Sequence, residues 1–200
     1  MIISDISNYN LVLDKLSNSV KDSKLVCIPS DTSYGLSGLA FDTKAESGLH
    51  ELKGQDPNKP LSIMFAEKSD ILNLFKPNKL VEILVEEYLP GPLTIIAETK
   101  SGQMVGARLP DHNLSRDLIK KLKAPIFTSS ANLHGLPACY SIEELENQLG
   151  DDFKKIDLVL DLGVLDFKLT STVVRANLDS LEILREGQLA LEIRQRLALQ

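Results

Sequence analysis

The stretch Lys24-Leu-Val-Cys-Ile-Pro29, followed directly by Ser30-Asp-Thr-Ser-Tyr-Gly35, carries the pattern that decides the fold. Its first half is apolar and stops at a proline, which predicts a short buried strand. Within it, Cys27 is expected to be a buried, reduced thiol. The second half consists mainly of residues that favour turns, so it predicts a polar loop after the strand. Pro125-Ile-Phe-Thr-Ser-Ser130 repeats this order of strand and then loop.

Helical segments alternate with such strands along the rest of the chain. Apolar residues recur at helical spacing in residues 11–20, 81–88 and 114–122. A further helix is predicted to end at Gly54, and Ser141 with Glu144 forms a capping-box signature. Because no repeat, linker or low-complexity segment interrupts the alternation, the sequence predicts one α/β domain over residues 1–200. We expect a twisted mixed β-sheet flanked by helices, with a ligand cavity at the strand ends.

Composition narrows the class of protein. Of the 200 residues, 43% are hydrophobic and 25% are charged, which is typical of a soluble globular protein. No basic and apolar leader and no apolar run of membrane-spanning length occurs, so we expect a cytoplasmic protein with no membrane contact. The net charge of −6 argues against a general nucleic-acid binder, although a local basic surface stays open.

Several common catalytic motifs are missing from the sequence. The three histidines, His50, His112 and His134, are isolated, and each is expected to be a surface residue rather than a metal ligand. No Gly-x-Ser-x-Gly elbow, phosphate-binding loop or Gly-x-Gly-x-x-Gly segment occurs. A nucleotide would therefore bind by another route, and the polar loops at the predicted strand ends are the candidates. Taken singly, each of these loops is weak support for a site.

Seven short segments, taken together and in order, carry a specific resemblance. They are Pro29-Ser-Asp-Thr-Ser-Tyr-Gly-Leu36, Lys53-Gly-Gln55 with Lys59-Pro-Leu61, Pro90-Gly-Pro-Leu-Thr94, Arg108-Leu-Pro110, Ser130-Ala-Asn132, Ser171-Thr-Val-Val174 and Arg185-Glu-Gly187. This series resembles the YrdC-type threonylcarbamoyl-AMP synthase family in its compact, single-domain form. The fold expected from the resemblance is a YrdC-like domain, and the matches run from about residue 25 to residue 187.

The resemblance implies a reaction and its substrates. Such enzymes combine L-threonine, bicarbonate and ATP to give threonylcarbamoyl-adenylate and pyrophosphate, with Mg²⁺ accompanying ATP. The product serves the t6A modification of tRNA, so tRNA is an indirect partner reached through later machinery. A carbamate oxygen attacks the α-phosphorus, and this step needs cations and hydrogen-bond donors rather than a covalent nucleophile. The protein itself is expected to supply no metal ligand.

By resemblance, nine residues fall at substrate-contacting positions. The ATP-binding positions are Lys53, Gln55, Lys59, Asn132 and Arg185. The L-threonine-binding positions are Thr32, Arg108, Ser130 and Ser171. Five of them have a simpler alternative: a surface ion pair for Arg108, a solvated charge for Lys53 and Arg185, and a backbone cap for the two hydroxyls Thr32 and Ser171.

Gln55 stands where the family pattern has arginine. Glutamine can donate a hydrogen bond to phosphate but brings neither charge nor a rigid fork. A charge-assisted hydrogen bond contributes about 1.5–3 kcal/mol, so we predict that ATP affinity or rate is about 10- to 100-fold lower, with Lys59 a candidate to compensate. Two alternatives stay open: an RNA-binding or ribosome-associated factor on the same fold, or another carbamoyl- or adenylyl-transfer enzyme.

Overall fold

The computed structural model describes residues 1–198, in which ten strands form one mixed sheet. The strands are β1 (Ile2–Ile3), β2 (Val26–Pro29), β3 (Tyr34–Leu39), β4 (Ser62–Met64), β5 (Leu93–Glu98), β6 (Met104–Arg108), β7 (Ile126–Ser130), β8 (Leu158–Leu160), β9 (Thr172–Ala176) and β10 (Leu181–Arg185). Their order across the sheet is β1-β8-β2-β3-β7-β4-β6-β5-β9-β10. Parallel and antiparallel neighbours both occur, so the predicted mixed α/β sheet is confirmed.

Seven α-helices accompany the sheet in the described residues. They are α1 (Tyr9–Lys21), α2 (Thr43–Lys53), α3 (Lys68–Leu74), α4 (Lys79–Tyr88), α5 (Asn113–Leu122), α6 (Ile142–Leu149) and α7 (Ala190–Ala198). Local chemistry sets their ends. The Asp42 side chain caps the start of α2, and Gly54, in the left-handed region at φ 59°, ends it. The predicted capping box of Ser141 and Glu144 opens α6.

One strand lies where the sequence predicts a loop. The stretch Ser30-Asp-Thr-Ser-Tyr-Gly35 is expected to be irregular, but β3 begins inside it, at Tyr34. Strand β3 lacks β-branched residues, and its backbone is held by antiparallel pairing with β2 on one side and with β7 on the other. Tertiary pairing therefore overrides a weak local preference. The sequence patterns also did not predict β1 or α3.

Two apolar clusters lie on opposite faces of the sheet. The larger cluster joins Ile63 and Phe127 to buried residues of α2, α4 and α6. The smaller one joins Met64 and Ile126 to the apolar stripes of α1 and α5. Successive residues of a strand point to opposite faces, which explains why neighbours such as Ile63 and Met64 belong to different clusters. Cys27 is fully buried in the larger cluster as a free thiol, as predicted.

The face under α1 and α5 changes character along its strands. Met64 pairs with Ile126 beneath the helices. Two residues away, a polar row crosses the same face: Ser37 pairs with Thr128, Thr128 with Ser62, and Ser62 with Gly106. None of these polar residues belongs to the apolar cluster under α1 and α5.

Candidate functional site

A cavity of about 200 Å³ opens on the polar part of this sheet face, at the strand ends. We call it the strand-end cavity. Seven of the nine predicted site residues line it: Thr32, Gln55, Lys59, Arg108, Ser130, Ser171 and Arg185. They come from segments up to 153 positions apart, between Thr32 and Arg185. The structure thus brings most of the predicted residues together in one place, at the strand ends as expected.

Hydroxyl side chains on the strands form the floor of the strand-end cavity. Ser62, Thr94 and Thr128 all line it, and none of them is among the nine predicted residues. The Oγ1 atom of Thr128 lies 3.3 Å from Ser37 Oγ, and Thr94 Oγ1 lies 3.2 Å from Ser171 Oγ. A hydroxyl can donate and accept hydrogen bonds, so this floor suits a ligand that carries both kinds of partner. Their alternation with apolar neighbours along each strand is the sequence signal that identifies them.

Arg108 ends β6 and forms a buried ion pair. Its Nη2 atom lies 2.5 Å from Oδ1 of Asp31, and the two side chains are only 8% and 6% exposed. The second carboxylate oxygen of Asp31 accepts a bond from the Asp111 backbone N–H at 3.3 Å. The alternative of a surface ion pair is therefore wrong. Arg108 Nε is buried without a hydrogen-bond partner among residues 1–198, which leaves donor capacity on a guanidinium that lines the cavity.

Arg185 ends β10 and is tied to Ser171. Its Nε atom donates to the Ser171 carbonyl at 3.1 Å, and Nη2 donates to Ser171 Oγ at 2.8 Å. Burial lowers the pKa of Arg185, and the positive charge of Arg108 lowers it further. Two guanidinium groups that repel one another across a confined space favour an anion between them, because the anion offsets both charges. Arg185 is exposed as a whole residue, so the alternative of a solvated charge is not contradicted, although its guanidinium is hydrogen-bonded to Ser171.

Gly187 allows the Ser171–Arg185 contact. A Cβ atom added at Gly187 would lie 2.3 Å from the Thr170 carbonyl oxygen and 2.4 Å from the Thr172 nitrogen. Both are backbone atoms that cannot move aside easily. A residue without a side chain is therefore needed where the Arg185-Glu-Gly187 segment crosses the start of β9.

Lys53 and Asn132 lie behind the wall of the strand-end cavity rather than in its lining. The Lys53 ammonium donates to the Ser130 carbonyl and, at 2.9 Å, to Asn132 Oδ1. Ser130 Oγ donates to the same Asn132 oxygen at 2.5 Å. Burial, reinforced by the nearby charge of Lys59, lowers the pKa of Lys53 to about 8. In this arrangement Lys53 and Asn132 hold Ser130 at the cavity wall.

Gln55 lines the strand-end cavity and contacts a buried histidine. Its Nε2 atom lies 3.0 Å from Nδ1 of His50, and each residue is 7% exposed. The expectation that His50 is a surface residue is wrong, because α2 turns it inward. His134 is exposed as expected, while His112 is partly buried and burial lowers its pKa. Among the described residues, His50 is the one histidine whose side chain is hydrogen-bonded to a predicted site residue, and the folded structure is needed to identify that contact.

Within residues 1–198, no group of three or more His, Cys, Asp or Glu side chains is placed to hold a metal ion. Over the same residues, none of the helices combines the length and the apolar character that crossing a bilayer requires.

The profile of one protein family, Sua5/YciO/YrdC, described as telomere recombination, matches residues 18–187. The chain belongs to the Sua5/YciO/YrdC family. The match contains every residue of the strand-end cavity. It confirms the family resemblance drawn from the seven ordered segments.

Relatives and solved structures of the Sua5/YciO/YrdC family agree with this assignment. A putative threonylcarbamoyl-AMP synthase of Methanocaldococcus jannaschii is 31% identical over 188 residues, which are 90% of this chain and 88% of that protein. A threonylcarbamoyl-AMP synthase of Pyrococcus abyssi is 31% identical and matches 86% of this chain, which spans about half of its length. The crystal structure of Pyrococcus abyssi Sua5 complexed with L-threonine superposes with a TM-score of 0.86 at 27% identity, covering 98% of this chain and 60% of that one.

Proposed function

We propose that this chain is an L-threonylcarbamoyladenylate synthase, a nucleotidyltransferase that uses L-threonine, bicarbonate and ATP. The threonine nitrogen bonds to the carbon of bicarbonate with loss of water, and an oxygen of the resulting carbamate attacks the α-phosphorus of ATP. Pyrophosphate leaves with the electrons of the broken P–O bond. Mg²⁺ is part of the proposal as the ion that ATP carries, and the adenylate is passed on for t6A modification of tRNA.

One observation carries the proposal: three cations, Lys59, Arg108 and Arg185, converge on a single cavity whose floor is made of hydroxyls. Negative charge accumulates on the phosphates during the attack, and fixed cations in a confined site stabilise it without reorganising. Holding two small molecules beside ATP also lowers the entropic cost of bringing them together. Neither effect requires a nucleophilic side chain, which agrees with a site built of guanidinium, ammonium and hydroxyl groups.

The proposal gives the two ends of the cavity different tasks. Arg108, aligned by Asp31, receives the threonine carboxylate through N–H groups that Asp31 does not use, the unpaired Nε–H among them, with Thr32 and Ser130 nearby as hydroxyl partners. Arg185 and Lys59 receive the phosphates. The remaining predicted residues serve the same ends: Ser171 orients Arg185, and Lys53 with Asn132 supports Ser130.

The first alternative is an RNA-binding factor on the same fold. The arrangement of cations distinguishes the two functions, since RNA binding needs basic side chains spread over a surface. Here three of the four predicted cations, Lys59, Arg108 and Arg185, line one small cavity. Many other lysines and arginines are paired with acids, as in Lys121–Asp14 and Arg196–Glu87. The second alternative, another carbamoyl- or adenylyl-transfer enzyme, differs from the proposal in not requiring threonine.

The proposal is tested by measuring pyrophosphate release from ATP with Mg²⁺, bicarbonate and L-threonine. We expect release that depends on all of these and stops when threonine is omitted. Mass spectrometry with ¹³C-bicarbonate should find the label in the adenylate. Pyrophosphate release that does not depend on threonine would favour the carbamoyl- or adenylyl-transfer alternative. Absence of release, together with tRNA binding that weakens steeply as salt rises, would favour the RNA-binding factor.

A further inference from the structure

The loop of residues 56–61 separates the strand-end cavity from a second cavity of about 220 Å³. Lys59, Pro60 and Leu61 line both cavities. Of these two cavities, Gln55 lines only the strand-end cavity, and His50 lines only the second cavity. The contact between Gln55 and His50 therefore runs across the wall that divides the two cavities.

The backbone fixes the spacing of this pair. Helix α2 ends at Gly54 in the left-handed conformation, and the chain then turns so that the Gln55 N–H donates to the His50 carbonyl at 3.1 Å. The two side chains are held against each other by this turn. With both residues 7% exposed, solvent has little access to satisfy their polar atoms.

One atom of the Gln55 amide has a hydrogen-bond partner, and the other has none among the described residues. Its Nε2 atom lies 3.0 Å from His50 Nδ1, while Oε1 is buried with no hydrogen-bond partner in the part of the chain that the structure describes. The nitrogen and oxygen of an amide can exchange places by rotation, and the tautomer of the histidine decides which of the two amide orientations is favoured. If Nδ1 carries no proton, Gln55 donates to it and a carbonyl oxygen points away from His50. If Nδ1 carries the proton, His50 donates to Gln55 Oε1 and an NH₂ group points away.

The charge of the strand-end cavity decides between the two orientations. Its lining includes the cations Lys59, Arg108 and Arg185 and no Asp or Glu among the described residues, so its ligand is anionic. A carbonyl oxygen directed at an anion is repulsive, whereas an amide N–H is a hydrogen-bond donor to it. We propose that His50 is a positioning residue that donates from Nδ1–H to Gln55 Oε1 and thereby presents the Gln55 NH₂ group to the anionic ligand. The proposal rests on the proposed function, in which that anion is the triphosphate of ATP.

Two substitutions of His50 separate positioning from packing. His50→Asn places an amide N–H close to the position of Nδ1, whereas His50→Leu keeps the bulk and removes the donor. Affinity for a non-hydrolysable ATP analogue, measured by calorimetry, should fall about 3- to 10-fold in His50→Leu, the range of one neutral hydrogen bond. It should stay within about 2-fold in His50→Asn. Affinity for L-threonine should not change in either variant.

A second background makes the test specific to the amide. In Gln55→Leu no amide remains to be oriented, so adding His50→Leu or His50→Asn should leave ATP-analogue affinity unchanged. If His50→Leu caused the same loss in the native background and in the Gln55→Leu background, His50 would act through packing, and the proposal would be overturned. Thermal unfolding of each variant checks that the fold is kept.

The tautomer can be observed without any ligand assay. Nitrogen-15 NMR of the histidine rings should show His50 protonated at Nδ1 in the native chain, and a His50 that carries its proton only at Nε2 would contradict the proposal. Native chain that binds no ATP analogue would overturn the proposed function, and this inference with it. Native chain that binds the analogue only as well as His50→Leu does would overturn this inference alone.

Discussion

The two ends of strand β7 on one sheet face differ in what covers them. At its start, Ile126 pairs with Met64 beneath α1 and α5 and has no exposed surface. Two and four residues later, Thr128 and Ser130 point to the same face but line the strand-end cavity. One strand thus supplies both the packed core and the wall of the site.

The difference shows how a rigid site is obtained from a few hydroxyls. Burial of Ile126 and Met64 fixes the backbone of two strands, and this also fixes the positions of the hydroxyl side chains on the same strands. Binding residues held by regular strands lose little freedom when a ligand arrives. The apolar end accordingly determines stability, and the polar end determines binding.

Arg108→Met should have the largest effect, because it changes both properties. Loss of a buried charged hydrogen-bond donor should reduce threonine-dependent turnover by about 100-fold or more. The substitution also leaves Asp31 buried without its partner, which should lower the free energy of unfolding by about 3–5 kcal/mol. Steady-state kinetics and denaturant unfolding measure the two effects.

The control for Arg108→Met is the double variant with Asp31→Asn. Removing the orphaned charge should restore most of the stability, because the asparagine side chain is neutral. Activity should stay low, since the guanidinium is still missing. Recovery of activity in the double variant would mean that the single substitution acts only by unfolding the site.

Ile126→Ala and Thr128→Val compare the two ends of β7 directly. Ile126→Ala should lower the free energy of unfolding by about 2–5 kcal/mol, because it leaves a cavity under α1 and α5. Thr128→Val keeps the shape and removes a hydroxyl, so stability should change by about 1 kcal/mol while KM for a substrate rises. Denaturant unfolding and kinetics on both variants test this contrast. A Thr128→Val variant as unstable as Ile126→Ala would contradict the division.

Gln55→Arg should raise ATP affinity by about 10- to 100-fold, because it adds a charged donor to the cavity lining. Calorimetry with an ATP analogue measures this gain. Gln55→Lys is the matched control, since it adds the charge without the planar fork. Unchanged affinity in both variants would mean that residue 55 does not contact the phosphates.

Lys53 should give the smallest effect and a distinctive dependence on pH. Its pKa is lowered to about 8, so the ammonium that holds Ser130 loses its proton as the pH rises through that value. ATP-analogue affinity should then fall. The free energy of unfolding should instead rise with pH between about pH 8 and the unfolded pKa of about 10.4, because the unfolded chain binds a proton there that the folded chain has released. Lys53→Met should abolish both trends, and affinity that keeps its pH dependence in Lys53→Met would contradict this role.

Much of the fold follows from the sequence, because its helices and most of its strands carry clear periodicity and caps. The exception at β3 has a physical cause: Tyr34-Gly-Leu-Ser-Gly-Leu39 is a strand only because β2 and β7 pair with it. Among the site residues, those at strand ends were predictable as a group. Nothing in the local sequence indicates that Arg108 pairs with Asp31, 77 positions away. The alternation that distinguishes Ser62 and Thr128 from their apolar neighbours does not show that they meet in one cavity floor.

The central claim is that one cavity holds a triphosphate beside an amino acid. Calorimetric titration of a non-hydrolysable ATP analogue, with and without saturating L-threonine, tests it most directly. We predict that both ligands bind together, that Arg185→Met weakens only the nucleotide, and that Arg108→Met with Asp31→Asn weakens only threonine. Threonine that is displaced by the nucleotide, or nucleotide binding that is indifferent to Arg185, would contradict the account.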